Sequence, residues 1–102
     1  MAHSPTTIDE VIQRALDGYA ALIELGEEVE DEWSYVMDLS QAWQARMEAV
    51  AAERGGEPVP PEIGAAVVAA VDEAALIGDP HRAIDWLSTF PQVVLVSLGE
   101  RP

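Results

Sequence analysis

The chain contains 102 residues, of which 49% are hydrophobic and 24% are charged, so it is long enough to fold as one domain and too apolar to be disordered throughout. Nineteen acidic residues against five arginines give a net charge of −14, which disfavours nucleic acids and anionic membranes as partners. The absence of cysteine excludes disulfides and thiolate chemistry. Because the sequence shows no secretory signal pattern and no apolar stretch of about 20 residues, we expect a cytoplasmic protein.

The first predicted helix begins at a capping box, in which the Thr7 hydroxyl accepts from the amide of Glu10 and the Glu10 carboxylate accepts from the amide of Thr7. Through the first half of the chain, apolar side chains recur at alternating steps of four and three residues, which places them on one stripe of a helix. Gly26 favours a break in this segment, so we expect two helices packed as a hairpin rather than one long helix. The acidic residues at 27–32 are then expected in the first turn of the second helix, where the helix dipole favours negative charge.

Three prolines just after a pair of glycines predict a linker in the middle of the chain. The third helix is expected to begin at Pro61 and to end at Gly78. Asp79, followed by a proline, is a typical N-cap for the fourth helix. Pro91 is expected to end that helix, and the apolar segment 92–98 is assigned to a short final helix.

These elements define the fold class that the sequence predicts. We expect a single all-α domain, a small helical bundle of four main helices arranged as two helical hairpins with a short C-terminal segment. The divisions are a tail at 1–6, a first hairpin at 7–54, a Pro/Gly linker at 55–61 and a second hairpin at 62–98.

Aromatic and aliphatic side chains in the second predicted helix form the candidate interface. Most of them lie on the apolar stripe, which is too apolar for a small protein to expose, so we expect a homodimer through this face. The interface residues are Trp33, Tyr35, Val36, Trp43 and Met47. The sequence favours a non-catalytic, regulatory or adaptor module that docks a protein partner through its helix faces, without a cofactor, and its charge favours a basic partner. An acidic decoy that binds a basic protein is an alternative on the same charge argument.

One carboxylate pattern supports an enzymatic alternative. Glu28-x-x-Asp31 follows an Asp-Glu-x-x-Gln sequence at residues 9–13, and carboxylates at i and i+3 of a helix lie on one side, where they suit Mg²⁺. The arrangement resembles the nucleotide pyrophosphohydrolases of the MazG type, which carry Glu-Glu-x-x-Glu on one helix and Glu-x-x-Asp on the next. The resemblance implies a magnesium site at Glu28 and Asp31 and cleavage of nucleoside triphosphates. Positions 9 and 13 depart from the pattern, and the chain has no lysine to help bind phosphates.

Overall fold

The computed structural model describes residues 5–29 and 33–100, without the side chains of residues 33, 35 and 36, and these ranges contain four α-helices. They are α1 (Ile8–Gly26), α2 (Trp33–Arg54), α3 (Pro61–Ala75) and α4 (Pro80–Ser97). α1 and α4 contact each other and both of the remaining helices, whereas α2 and α3 make no contact within the described residues. The predicted all-α bundle is confirmed, with α1 and α4 as its central pair.

The core is one hydrophobic cluster to which all four helices contribute. On α1, the residues that the stripe places inside are buried, among them Ile12, Tyr19 and Leu22. α2 adds Met47 and α4 adds Phe90, both without exposed surface. The radius of gyration of 13.3 Å agrees with the about 13 Å expected for a compact chain of 100 residues. A single copy of the chain therefore encloses its own core.

The start of α1 is held by the linker, and the predicted capping box is wrong. The helix begins at Ile8, but the Thr7 side chain caps no backbone amide and instead donates to the Asp9 carboxylate. The amides of Ile8 and Asp9 donate to the carbonyls of Glu57 and Gly55, both at 3.0 Å. Backbone carbonyls of the linker therefore accept hydrogen bonds from first-turn amides of α1 that would otherwise lack partners.

The connection between α1 and α2 uses the acidic segment. α1 ends at Gly26, as predicted, and the chain turns through Glu27 and Glu28. α2 begins only at Trp33 and has no acidic residue in its first turn, so the expected place of Glu27 and Glu28 in that turn is wrong. They lie instead in the turn that follows α1. The acidic residues at 30–32 lie outside the described residues.

The predicted starts of α3 and α4 are confirmed, and the predicted end of α3 is wrong. α3 begins at Pro61 and ends at Ala75, before the predicted Gly78. The next two amides bond three residues back, which tightens the last turn and ends the helix early. Asp79 caps α4 by accepting a hydrogen bond from the amide of His81 at 3.1 Å, with a proline at the first helical position.

α4 continues through Pro91, so the predicted end of the helix at this proline is wrong. Proline has no N–H, so the carbonyl of Leu87, four residues earlier, loses its helical donor. The hydroxyl of Tyr19 on α1 donates to this carbonyl at 2.5 Å and replaces the missing amide. Residues 92–97 are helical, as predicted, but they belong to α4 and do not form a separate helix.

Candidate functional site

The predicted interface on α2 divides between core and surface. Met47 has no exposed surface and belongs to the core of this same chain. Trp43 is half-buried against that core, and the Arg46 guanidinium lies 5.9 Å from the centroid of its ring. The indole Nε1 of Trp43 is buried and has no hydrogen-bond partner within the described part of the chain. The other predicted residues, Trp33, Tyr35 and Val36, belong to the first turn of α2, and their side chains lie outside the described residues.

Glu28, one of the two predicted magnesium ligands, lies far from the carboxylates at the start of α1. Glu28 is exposed in the turn after α1, and Asp31 lies outside the described residues. Asp9 and Gln13, at the other end of the pattern, lie in the first two turns of α1, about 20 to 25 Å from its last residue along the helix axis. Within the described residues, no group of three His, Asp or Glu side chains is arranged to hold a metal ion. Glu28 and the first half of the carboxylate pattern thus lie at opposite ends of α1.

A buried polar cluster joins α1, α2 and α4. Tyr19 has no exposed surface, its ring stacks on Phe90 with centroids 6.2 Å apart, and its hydroxyl donates to the Leu87 carbonyl. Burial raises the pKa of Tyr19 to about 12, and a hydrogen bond with the buried Ser40 side chain opposes this rise. The phenol therefore stays protonated at neutral pH and acts as a donor within the core. Ser40, which lies on α2, links this helix to α1 through its hydrogen bond with Tyr19.

A groove follows the seam between α1 and α3, and it is called the α1–α3 groove below. Its floor is small and apolar, because Gly18 and Ala21 from α1 lie beside Val71 and Ala75 from α3. A Cβ atom on Gly18 would lie 3.1 Å from a methyl group of Val71, so the two helices approach closely here. Ala21 and Ala75 are exposed, so the floor is open to solvent.

Carboxylates follow the α1 side of this groove. Asp17 lines the groove itself, Glu10 lines a depression that adjoins it towards the start of α1, and Glu24 and Glu28 line one that adjoins it towards the end of α1. The four carboxylates recur at intervals of seven, seven and four residues, over about 25 Å of α1 and the turn that follows it. All four residues are exposed. Arg14 is the one basic side chain that lines this part of the described surface. The α1–α3 groove therefore combines an apolar floor with a net negative rim.

The sequence assigns Glu10 and Glu28 to other roles and does not identify the residues of the groove floor, although two signals are present. α3 is rich in alanine, and the acidic residues of α1 recur at a seven-residue spacing. Neither signal identifies a groove alone, because the floor forms only where α3 lies beside α1. That pairing is a property of the topology and not of either helix.

Apolar surface is also exposed away from the groove. Leu76, in the turn after α3, is 86% exposed, and Val93 and Val96, one turn apart on α4, are 42% and 54% exposed. Leu76 lines a depression with Glu73, Asp79 and Arg82, which carry charges of both signs, so its surroundings do not favour a partner of one charge.

No match is found when the chain is compared with known protein families, with curated proteins and with solved structures. Within the described residues, none of the helices is long and apolar enough to cross a membrane. The helix faces and the α1–α3 groove are therefore the basis for assigning a function.

Proposed function

We propose that this protein is a non-catalytic interaction module, of a regulatory or adaptor type, that binds a protein partner along the α1–α3 groove. The observation that carries the proposal is an apolar floor that lies open between two helices. A partner segment that packs onto Ala21 and Ala75 removes apolar surface from water, which is favourable by about 25 cal/mol per Å². Because the floor is built from small residues on two helices, it is preformed and can accept large side chains from the partner.

The shape of the groove suits a chain segment better than a small molecule. Small-molecule sites are concave and bury about 70 to 90% of the ligand surface. The α1–α3 groove is instead long, with exposed alanines on both sides of its floor. An amphipathic helix laid along such a groove inserts its large side chains between the ridges of the two receiving helices. Gly18, where a Cβ atom would lie 3.1 Å from a methyl group of Val71, lies on the floor of that contact.

We also propose that two copies of the chain associate through the part of the α2 face around Trp43. The half-buried indole of Trp43, which the chain's own helices do not fully enclose, is the observation that favours this contact. Met47 is left out of the proposed contact, because the chain's own helices enclose it. α2 contributes no residue to the floor of the α1–α3 groove, so the two contacts can coexist.

Site-specific photocrosslinking tests the docking proposal. A photoreactive phenylalanine analogue is placed at Ala75, in the groove, or at Ala69, an exposed position on the same helix outside the groove floor. In cells that produce the protein, we expect one discrete adduct from position 75 that position 69 does not give. Ala21→Phe fills the floor and should remove the adduct, whereas Ala20→Phe puts the same ring on the neighbouring exposed position and should leave it.

Three results would contradict the proposal. Equal adducts from positions 69 and 75, or an adduct that survives Ala21→Phe, would mean that the groove is not the docking site. An adduct of the chain with itself would place a second copy, and not a different protein, in the groove. Circular dichroism of Ala21→Phe and Ala20→Phe should match the parent spectrum, so that loss of the adduct is not loss of the fold.

A further inference from the structure

We infer that the segment bound in the α1–α3 groove is a basic amphipathic helix whose arginines or lysines recur every seven residues, an assignment that rests on the proposed interaction function. Charge complementarity supports it, because Glu10, Asp17 and Glu24 follow the groove and the depressions that adjoin its two ends with the same seven-residue interval. Each interval corresponds to about 10.5 Å along α1. The partner's apolar residues, between its basic ones, then lie over the floor at Ala21 and Ala75.

A seven-residue repeat keeps two packed helices in phase. When helices pack at a shallow angle, side chains that recur every seven residues meet the same side of the neighbour along the whole contact. Basic residues at i, i+7 and i+14 of the partner therefore reach Glu10, Asp17 and Glu24 in turn. Other spacings bring some basic residues away from the rim, because an α-helix has 3.6 residues per turn.

Arg14 adds a requirement on the partner sequence. It lies on the same rim between Glu10 and Asp17, so a basic residue opposite it would be repelled. The partner is therefore expected to carry a neutral or acidic residue between the first two basic positions. Salt screens this repulsion beyond a short distance, because the Debye length at 0.1 M salt is about 10 Å, close to the spacing of the rim carboxylates. Arg14 therefore affects only the partner residues directly opposite it. Individual exposed ion pairs are weak, so the pattern selects the partner and its register more than it sets the total affinity.

Two synthetic peptides of about 20 residues test this inference with the full chain. Both peptides carry leucines on one helix face. Beside that face, the first peptide carries arginines at seven-residue intervals, and the second carries glutamines at the same positions. Fluorescence anisotropy at about 0.05 M salt should show at least about tenfold tighter binding of the arginine peptide. The difference should shrink at about 0.5 M salt, where exposed charges are screened.

Charge-reversal variants locate the binding site. Asp17→Arg combined with Glu24→Arg reverses two rim carboxylates and should weaken binding of the arginine peptide at least about tenfold. Asp38→Arg combined with Asp85→Arg changes the net charge equally, at exposed positions of α2 and α4 outside the groove, and should change the affinity less than about twofold. If the first double variant fails to fold, the single variants Asp17→Asn and Glu24→Gln give the same test with smaller losses.

The outcomes separate this inference from the proposed function. Equal losses in the two double variants would attribute binding to net charge and overturn the inference. Equal binding of both peptides, with binding still abolished by Ala21→Phe, would overturn the charge pattern and leave docking in the groove intact. If neither peptide binds, the inference is overturned, and photocrosslinking from Ala75 decides separately whether a partner occupies the groove.

Discussion

Replacement of Tyr19 with phenylalanine should lower the free energy of unfolding by about 1 to 3 kcal/mol, because a buried acceptor is left without its donor. The Leu87 carbonyl has already lost its helical amide to Pro91, and the Tyr19 hydroxyl donates to it at 2.5 Å. Ser40 also loses a hydrogen bond in this variant. The ring that stacks on Phe90 is kept, so no large cavity adds to the cost. Urea unfolding followed by circular dichroism measures the change, and the melting temperature should fall by about 4 to 8 °C per kcal/mol.

A double-mutant cycle tests the physical reason for this loss. Pro91→Ala supplies a backbone N–H that can donate to the Leu87 carbonyl, so the carbonyl no longer depends on Tyr19. In the Pro91→Ala background, Tyr19→Phe should therefore cost about 1 kcal/mol less than in the parent chain. The same cost in both backgrounds, or no cost in either, would refute the account of how α4 passes through Pro91.

Four further predictions concern alkaline pH, two glycine positions, magnesium and the oligomeric state. The pKa of Tyr19 is raised to about 12, so its contribution to stability is full below pH 10 and should fall by about 2 to 3 kcal/mol between pH 10 and pH 12. Melting curves at alkaline pH should show a smaller loss of stability for Tyr19→Phe than for the parent chain. Gly64→Ala should lower the melting temperature, because its Cβ would lie 2.6 Å from a backbone carbonyl of the N-terminal segment, whereas Gly56→Ala meets nothing within 4 Å and should have little effect. Mg²⁺ should change the melting temperature only as much as sodium chloride of equal ionic strength does. The hydrolase alternative would be supported instead if Mg²⁺ gave a saturable rise in melting temperature that Glu28→Gln removes, and if the protein released pyrophosphate from nucleoside triphosphates. Light scattering should give twice the chain mass, with Trp43→Asp monomeric, and a strictly monomeric parent would contradict the dimer.

The helical architecture could be predicted because its signals are local. The stripe of α1 and the cap at Asp79 act over a few neighbouring residues, and both predict the observed elements. Two of the errors lie where a distant segment supplies a hydrogen-bonding group. Local chemistry makes Pro91 a helix terminator, but Tyr19 from another helix compensates for the lost amide. The sequence at Thr7 fits a capping box, but the Glu10 amide donates to the Asp9 carboxylate, and linker carbonyls accept from the amides of Ile8 and Asp9.

The candidate site was less predictable than the fold. An apolar stripe has the same pattern whether it packs on the chain's own helices or on a partner, so the sequence placed Met47 in an interface although this chain buries it in its own core. The α1–α3 groove depends on which helix lies beside α1. Its floor residues, Ala21 and Ala75 among them, are too small to stand out in a sequence.

Chemical-shift mapping tests the central claim, that the α1–α3 groove binds a partner helix, most directly. The arginine peptide is titrated into ¹⁵N-labelled protein, and the amide shifts are followed residue by residue. The account predicts that the largest changes occur at Gly18, Ala21, Val71 and Ala75, with little change at Gly56, which lies outside the groove. Changes centred on α2 or on the exposed side of α4, or no change at any peptide concentration, would contradict it.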